Sequence, residues 1–153
     1  MMRRSGLSSR RSRRAQALVE FALVAPIFFL VLFAIVEAGR FIFYYEILNN
    51  ATREGARYAI VHGENSFDKT GPPHDPSGAD VITAVRNSAF GMPGPSVTVT
   101  PAWLADTNPD VPGTNERGMT VRVHASYSYS ILIPIVPLPA ITVEAESSLV
   151  INN

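Results

Sequence analysis

The chain has no cysteine among its 153 residues. That excludes disulfides, thiol catalysis and any zinc site built on thiolates. Outside the cytoplasm such a chain is held by packing alone. Also missing are a nucleophile-elbow serine, a glycine-rich phosphate loop and a metal-ligand pair at helical spacing. The three histidines, His62, His74 and His124, are scattered. These absences predict a protein that is not an enzyme and needs no metal or cofactor. No internal repeat is present.

Charge is nearly absent from one long stretch. Between residues 17 and 36 the sole charged side chain is Glu20. A helix of about 20 residues, rising about 1.5 Å per residue, spans about 30 Å, the thickness of a bilayer's hydrocarbon core. A transmembrane segment over residues 17–36 follows, with membrane lipid as its surroundings. What flanks it is asymmetric. Arg3, Arg4, Arg10, Arg11, Arg13 and Arg14 precede it, leaving seven basic residues against thirteen acidic ones in the remainder. Arginines before the span and an acidic region after it predict a cytoplasmic N-terminus and a C-terminal domain outside. A nucleic-acid-binding tail is the competing reading of the arginines. It is set aside because the apolar run begins directly after them, so no nucleic acid partner is expected. Ser9-Arg10-Arg11 also resembles a twin-arginine export signal, but the residues that follow do not fit one.

Residues 1–15, rich in Arg and Ser, read as a disordered basic leader. The most informative stretch is Ala15-Gln16-Ala17-Leu18-Val19-Glu20-Phe21. A cut between Ala15 and Gln16 would create a new α-amino group, charged near neutral pH. Glu20 would lie about one helical turn from it. The pair could form within one chain or between neighbours, and in hydrocarbon each charge alone is costly. On spacing alone a second reading is equally open, in which Glu20 sits at the headgroup boundary of an ordinary membrane anchor. A third is a conventional secretory signal cut after Val36-Glu37-Ala38. Against it, the chain continues with apolar Phe41-Ile42-Phe43-Tyr44-Tyr45.

With those residues stand Pro26, Glu37, Gly39 and Arg40, then Arg53-Glu54-Gly55-Ala56-Arg57-Tyr58-Ala59. Taken together, roughly residues 14–60 resemble the N-terminal signature of the TadE-like family, minor pseudopilins of Tad (Flp-type) pilus assembly systems in bacteria. Ala15 stands where that family often has Gly. The resemblance implies removal of the leader by a prepilin peptidase and roles in processing and assembly for Glu20 and Phe21. It also implies residence in the inner membrane and partnership with other pilin or pseudopilin subunits and the Tad inner-membrane machinery.

Beyond the span, Glu37 and Arg40 share a helix face, and Tyr44 and Tyr45 suit an outer aromatic belt, with Arg40 reaching to the interface. Phe41, Ile42, Tyr45, Leu48, Thr52, Gly55, Ala56, Ala59 and Ile60 recur at helical spacing. They predict one long helix over residues 16–61, closed by Gly63. Arg53, Glu54 and Arg57 read as a solvated face with a Glu54–Arg57 pair, or alternatively as a subunit contact. Gly55 and Ala56 permit close approach of another backbone or of a strand of the same domain.

The rest, residues 62–153, reads as a small α+β domain. Residues 63–77 form a loop by composition. It holds Glu64, Asp68, His74 and Asp75 near His62, in no standard metal spacing. A capping box at Ser77 would open a short helix over 78–90, and residues 92–95 would break it. Strands are expected at 96–100, 119–132 and 140–151, with a polar loop at 104–117. On the middle strand Val121, Val123, Ala125, Tyr127 and Tyr129 share one face, and His124 lies on the other. Residues 133–139, with three prolines, cannot join a central strand. Glu144 and Glu146 share a solvated strand face. The predicted architecture is a long pilin-like helix packed on an antiparallel sheet of about three strands plus one short helix.

Overall fold

A computed structural model describes residues 7–92, 96–105, 108–131 and 140–152. The architecture is α+β, as the sequence predicts. In chain order the elements are α1 (Leu7–Val61), α2 (Ala79–Ser88), β1 (Val97–Ala105), β2 (Asn108–Pro112), β3 (Thr120–Tyr129) and β4 (Ile141–Val150). The chain divides into two compact units, Met1–Gly39 and Arg40–Asn153.

In the first unit, α1 begins at Leu7, ahead of the expected start at residue 16. Nothing between Leu7 and Gln16 breaks a helix, because the stretch has neither Gly nor Pro and is rich in Arg. Helix continues through Pro26 without a break. The apolar side chains that follow the arginines, among them Leu18, Phe21, Leu23 and Ile27, are exposed. By length and composition this helix is able to cross a membrane.

The second unit is built on a four-stranded antiparallel sheet in the order β2-β1-β3-β4. The pairing of β3 is the backbone of the unit. Val123 stands opposite Pro101 of β1 and Ser147 of β4, and Ala125 opposite Val99 and Ala145. Alternation along β3 is as expected, with Val121, Val123, Ala125, Tyr127 and Tyr129 buried. Leu48, Ala51, Ala56 and Ala59 of α1 join them in one core with Val81, Val85 and Ala89 of α2. Fully burying a Leu or Val side chain contributes about 1.5–3 kcal/mol.

Several expectations need correction. The sheet has four strands, because residues 108–112, expected within a polar loop, pair with the end of β1. Their prolines hide the strand from pattern reading, and its pairing is a matter of backbone. β1 also runs past Thr100 to Ala105. Pro101 does not end it, for a geometric reason. The Gly113 N–H donates to the Trp103 carbonyl at 2.8 Å. By alternation, the backbone groups of Trp103 and Pro101 therefore face away from β3. Beside Pro101 on that side β2 makes no pairing, so the missing N–H costs no ladder bond.

The expected buried stripe of α1 holds at Phe41, Leu48, Thr52, Gly55, Ala56, Ala59 and Ile60 and differs only toward its start. Ile42 and Tyr45 are exposed, while Tyr44, Ile47 and Ala51 face the core. Gly63 is not in the left-handed conformation. The helix end is closed instead by His62, whose Nδ1 lies 2.8 Å from the Tyr58 carbonyl and whose ring stacks on Tyr58 at 4.0 Å. The capping box at Ser77 is likewise absent. Gly78 is the N-cap of α2, with φ 62°, and Ser77 turns back to donate to Asp75 Oδ1 at 2.6 Å. α2 itself is shorter than expected and is followed by Gly91 with φ 86°. The proline-rich stretch 133–139 lies outside the described residues.

Candidate functional site

The residues singled out from the sequence fall into two groups, one in each unit. In the first, Ala15, Gln16, Glu20 and Phe21 are all helical and exposed. Gln16 and Glu20 are four apart, so they lie on one helix face. Phe28 and Phe29 meet edge-on at 5.6 Å, and Phe29 lies 6.3 Å from Phe33 along the same face. At Gly39 a methyl group would meet no atom within 4 Å. Glycine inside a helix costs about 0.5–1 kcal/mol relative to alanine, and the described residues supply no packing reason for it. Glu37 is half-buried.

The second group belongs to the domain. Arg40, expected at a membrane interface, lies with its guanidinium 5.5 Å from the Tyr129 ring centre and 6.0 Å from that of Tyr44. Tyr44, expected in an aromatic belt, packs against Tyr127 at 5.3 Å and Tyr129 at 5.7 Å. Phe41 meets Tyr129 edge-on at 5.8 Å. Aromatic pairs in these arrangements contribute about 0.5–1.5 kcal/mol beyond their buried area. One turn of α1 is thereby locked to the C-terminal end of β3.

Farther along, Gly55 is buried, and a methyl group there would fall 2.2 Å from Val85 Cγ2 and 3.6 Å from Val123 Cγ1. The open alternative is thus decided: the close approach at Gly55 is made by α2 and β3 of the same domain. Arg53, Glu54 and Arg57 are exposed. The expected Glu54–Arg57 pair does not form, and exposure leaves the three side chains open to solvent or to a partner.

Loop 63–77 is held by a residue the sequence reading passed over. Asn115 is fully buried, and its Nδ2 donates to the Thr70 carbonyl at 2.8 Å. Its backbone accepts from Glu64 N–H and donates to the Pro72 carbonyl, both at 3.1 Å. A single buried asparagine thus ties three points of the loop. Trp103 of β1 underlies the same region, close against Gly71 and Gly78, both of which have positive φ. No signal in the sequence marks Asn115, because asparagine in a polar stretch reads as turn.

The loop's charged side chains pair with one another. Glu64 bridges Lys69 and His74, each at 3.2 Å. The bond from Lys69, and after it the charges of Lys69 and His74, hold the Glu64 carboxyl below its usual range. The Ser77 hydroxyl holds that of Asp75 down, helped by the N–H groups at the start of α2 and opposed by desolvation. Among the described residues no group of three His, Asp or Glu side chains could hold a metal ion.

A family model described as TadE-like protein matches residues 15–57. The chain carries a TadE-like segment. That segment begins at Ala15 and ends at Arg57, so it takes in both groups of residues: the exposed N-terminal helix and the part of α1 built into the domain core. No curated protein and no solved structure matches the chain.

Proposed function

We propose that the protein is a minor pseudopilin-like subunit of a Tad-type pilus or secretion apparatus, acting by assembly rather than catalysis. The observation that carries this is the TadE-like match over residues 15–57, which starts at Ala15, beside the inferred leader cut. A prepilin peptidase removes residues 1–15, and Gln16 becomes the first residue. The helix is held in the inner membrane, with the acidic domain outside and the arginines inside. A carboxylate deep in hydrocarbon costs about 2.5–3.5 kcal/mol on insertion scales. Pairing Glu20 with the new amine of Gln16, on its own chain or a neighbour, offsets that cost and sets the register between helices. Open space at Gly39 supports close packing of another subunit's helix there.

Intact mass and N-terminal sequencing of the protein from membranes of cells carrying the cognate peptidase test the reading. A start at Gln16 is expected. An intact leader would replace it with a plain single-pass anchor bearing an outer binding domain. A start at Gly39 would make it a secreted domain.

A further inference from the structure

The two edges of the sheet are unlike. β2, at one edge, has five residues and carries Pro109 and Pro112. Shortness and proline both block pairing with a further strand. β4, at the other edge, is ten residues long and has neither proline nor lysine.

Which of its backbone groups face outward follows from its closure. Gly118 N–H donates to the Ile151 carbonyl and Ile151 N–H to the Met119 carbonyl, both at 2.8 Å, with Gly118 at φ 89°. This is a glycine bulge, and it sets the phase of the β3–β4 ladder. Leu149, Ser147, Ala145, Val143 and Ile141 bond to β3. Thr142, Glu144, Glu146, Ser148 and Val150 turn their N–H and C=O groups away from it. Among the described residues nothing bonds to that row. The same five side chains are exposed.

We propose that this edge of β4 takes up an extended strand from a different protein, one carrying Lys or Arg at alternate positions. The charges select the occupant. Glu146 reaches Arg122 at 3.5 Å and Glu144 reaches His124 at 3.9 Å, both on the β3 side. Toward the open side neither carboxylate meets a basic side chain among the described residues, and both stay half or more exposed. A strand added there sets every second side chain beside them, and opposite charges across strands attract while like charges repel. A second copy is disfavoured for that reason. The two antiparallel self-pairings that use most of β4, centred on Ala145 or Glu146, set Glu144 against Glu146 or Glu146 against itself. The copy's other edge is closed by its prolines. Main-chain bonding supplies affinity and the alternate basic residues supply specificity. The inference stands apart from leader cleavage and holds for an anchored or a processed chain.

The test uses the full chain in detergent micelles and a fluorescent peptide as long as β4, alternating Lys and Val, with an alternating Glu and Val peptide as control. The Lys peptide is expected to bind at least about tenfold tighter, and Glu144→Lys with Glu146→Lys to reverse the preference. Ser148→Pro removes an outward N–H without touching the β3 ladder and is expected to abolish binding. Hydrogen exchange reads the phase directly. The amides of residues 142, 144, 146, 148 and 150 exchange fast in the free chain and slow with peptide. Equal binding of both peptides, or full binding to Ser148→Pro, overturns the proposal. So does protection of those amides without peptide, because the edge is then already occupied. A chain that dimerises through β4 overturns the choice of partner.

Discussion

At Gly55 the distance from a would-be methyl to Val85 Cγ2 is 2.2 Å, and the valine is buried and stiff at χ1. Overpacking of this kind costs about 1–3 kcal/mol, against about 1 kcal/mol gained in helix propensity. Gly55→Ala is therefore expected to destabilise the domain by roughly 1 kcal/mol in chemical denaturation. Val85→Ala made in the same chain should recover part of that loss, and additive effects would mean the two residues are not in contact. Asn115 is a different case. Asn115→Ala strands the buried Thr70 carbonyl without a donor, at about 1–3 kcal/mol. Faster exchange of the Glu64 and Thr70 amides should accompany it. Glu20 belongs to the proposed assembly role rather than to the fold. Glu20→Ala should leave processing largely intact and impair pilus assembly; normal assembly in that variant would remove the register mechanism.

Among the elements, loop 63–77 depends on pH through Glu64 and Asp75. Both carboxyls are held below their ordinary values of 4.5 and 3.8 in the folded chain. Their contribution is complete above those values and is lost as pH falls through the lower folded values. The loop's amides should lose protection on acidification before those of β3 do. Glu64→Gln should flatten the part of that response due to Lys69 and His74. The turn of α1 that carries Arg40 and Tyr44 is held by aromatic packing on β3. Tyr44→Ala is expected to cost about 3 kcal/mol, in the range of large aromatic truncations. Were Tyr44 an interfacial belt residue instead, its removal would leave the domain's denaturation midpoint unchanged.

For the whole molecule, the sequence by itself determined the coarse plan. A long apolar run with Glu20 as its sole charge, preceded by arginines, marks the helix able to span a membrane. Period-two alternation in residues 121–129 marks the central strand. Gln16, Glu20, Gly55 and Arg57, taken with their neighbours, mark the TadE-like segment. Each of these is a local pattern, and local patterns survive without knowledge of the fold. Tertiary structure decided what depends on a distant partner. Pro101 is tolerated in β1 because β2 makes no pairing beside it. Residues 108–112 become a strand only by pairing with the end of β1. Tyr44 and Arg40 gain aromatic partners that their position in the sequence does not suggest, because Tyr127 and Tyr129 are brought beneath them. Asn115 becomes a structural centre because the loop's carbonyls arrive around it. In each case the side chain or backbone group needs a partner remote in sequence, and only folding brings that partner within bonding distance.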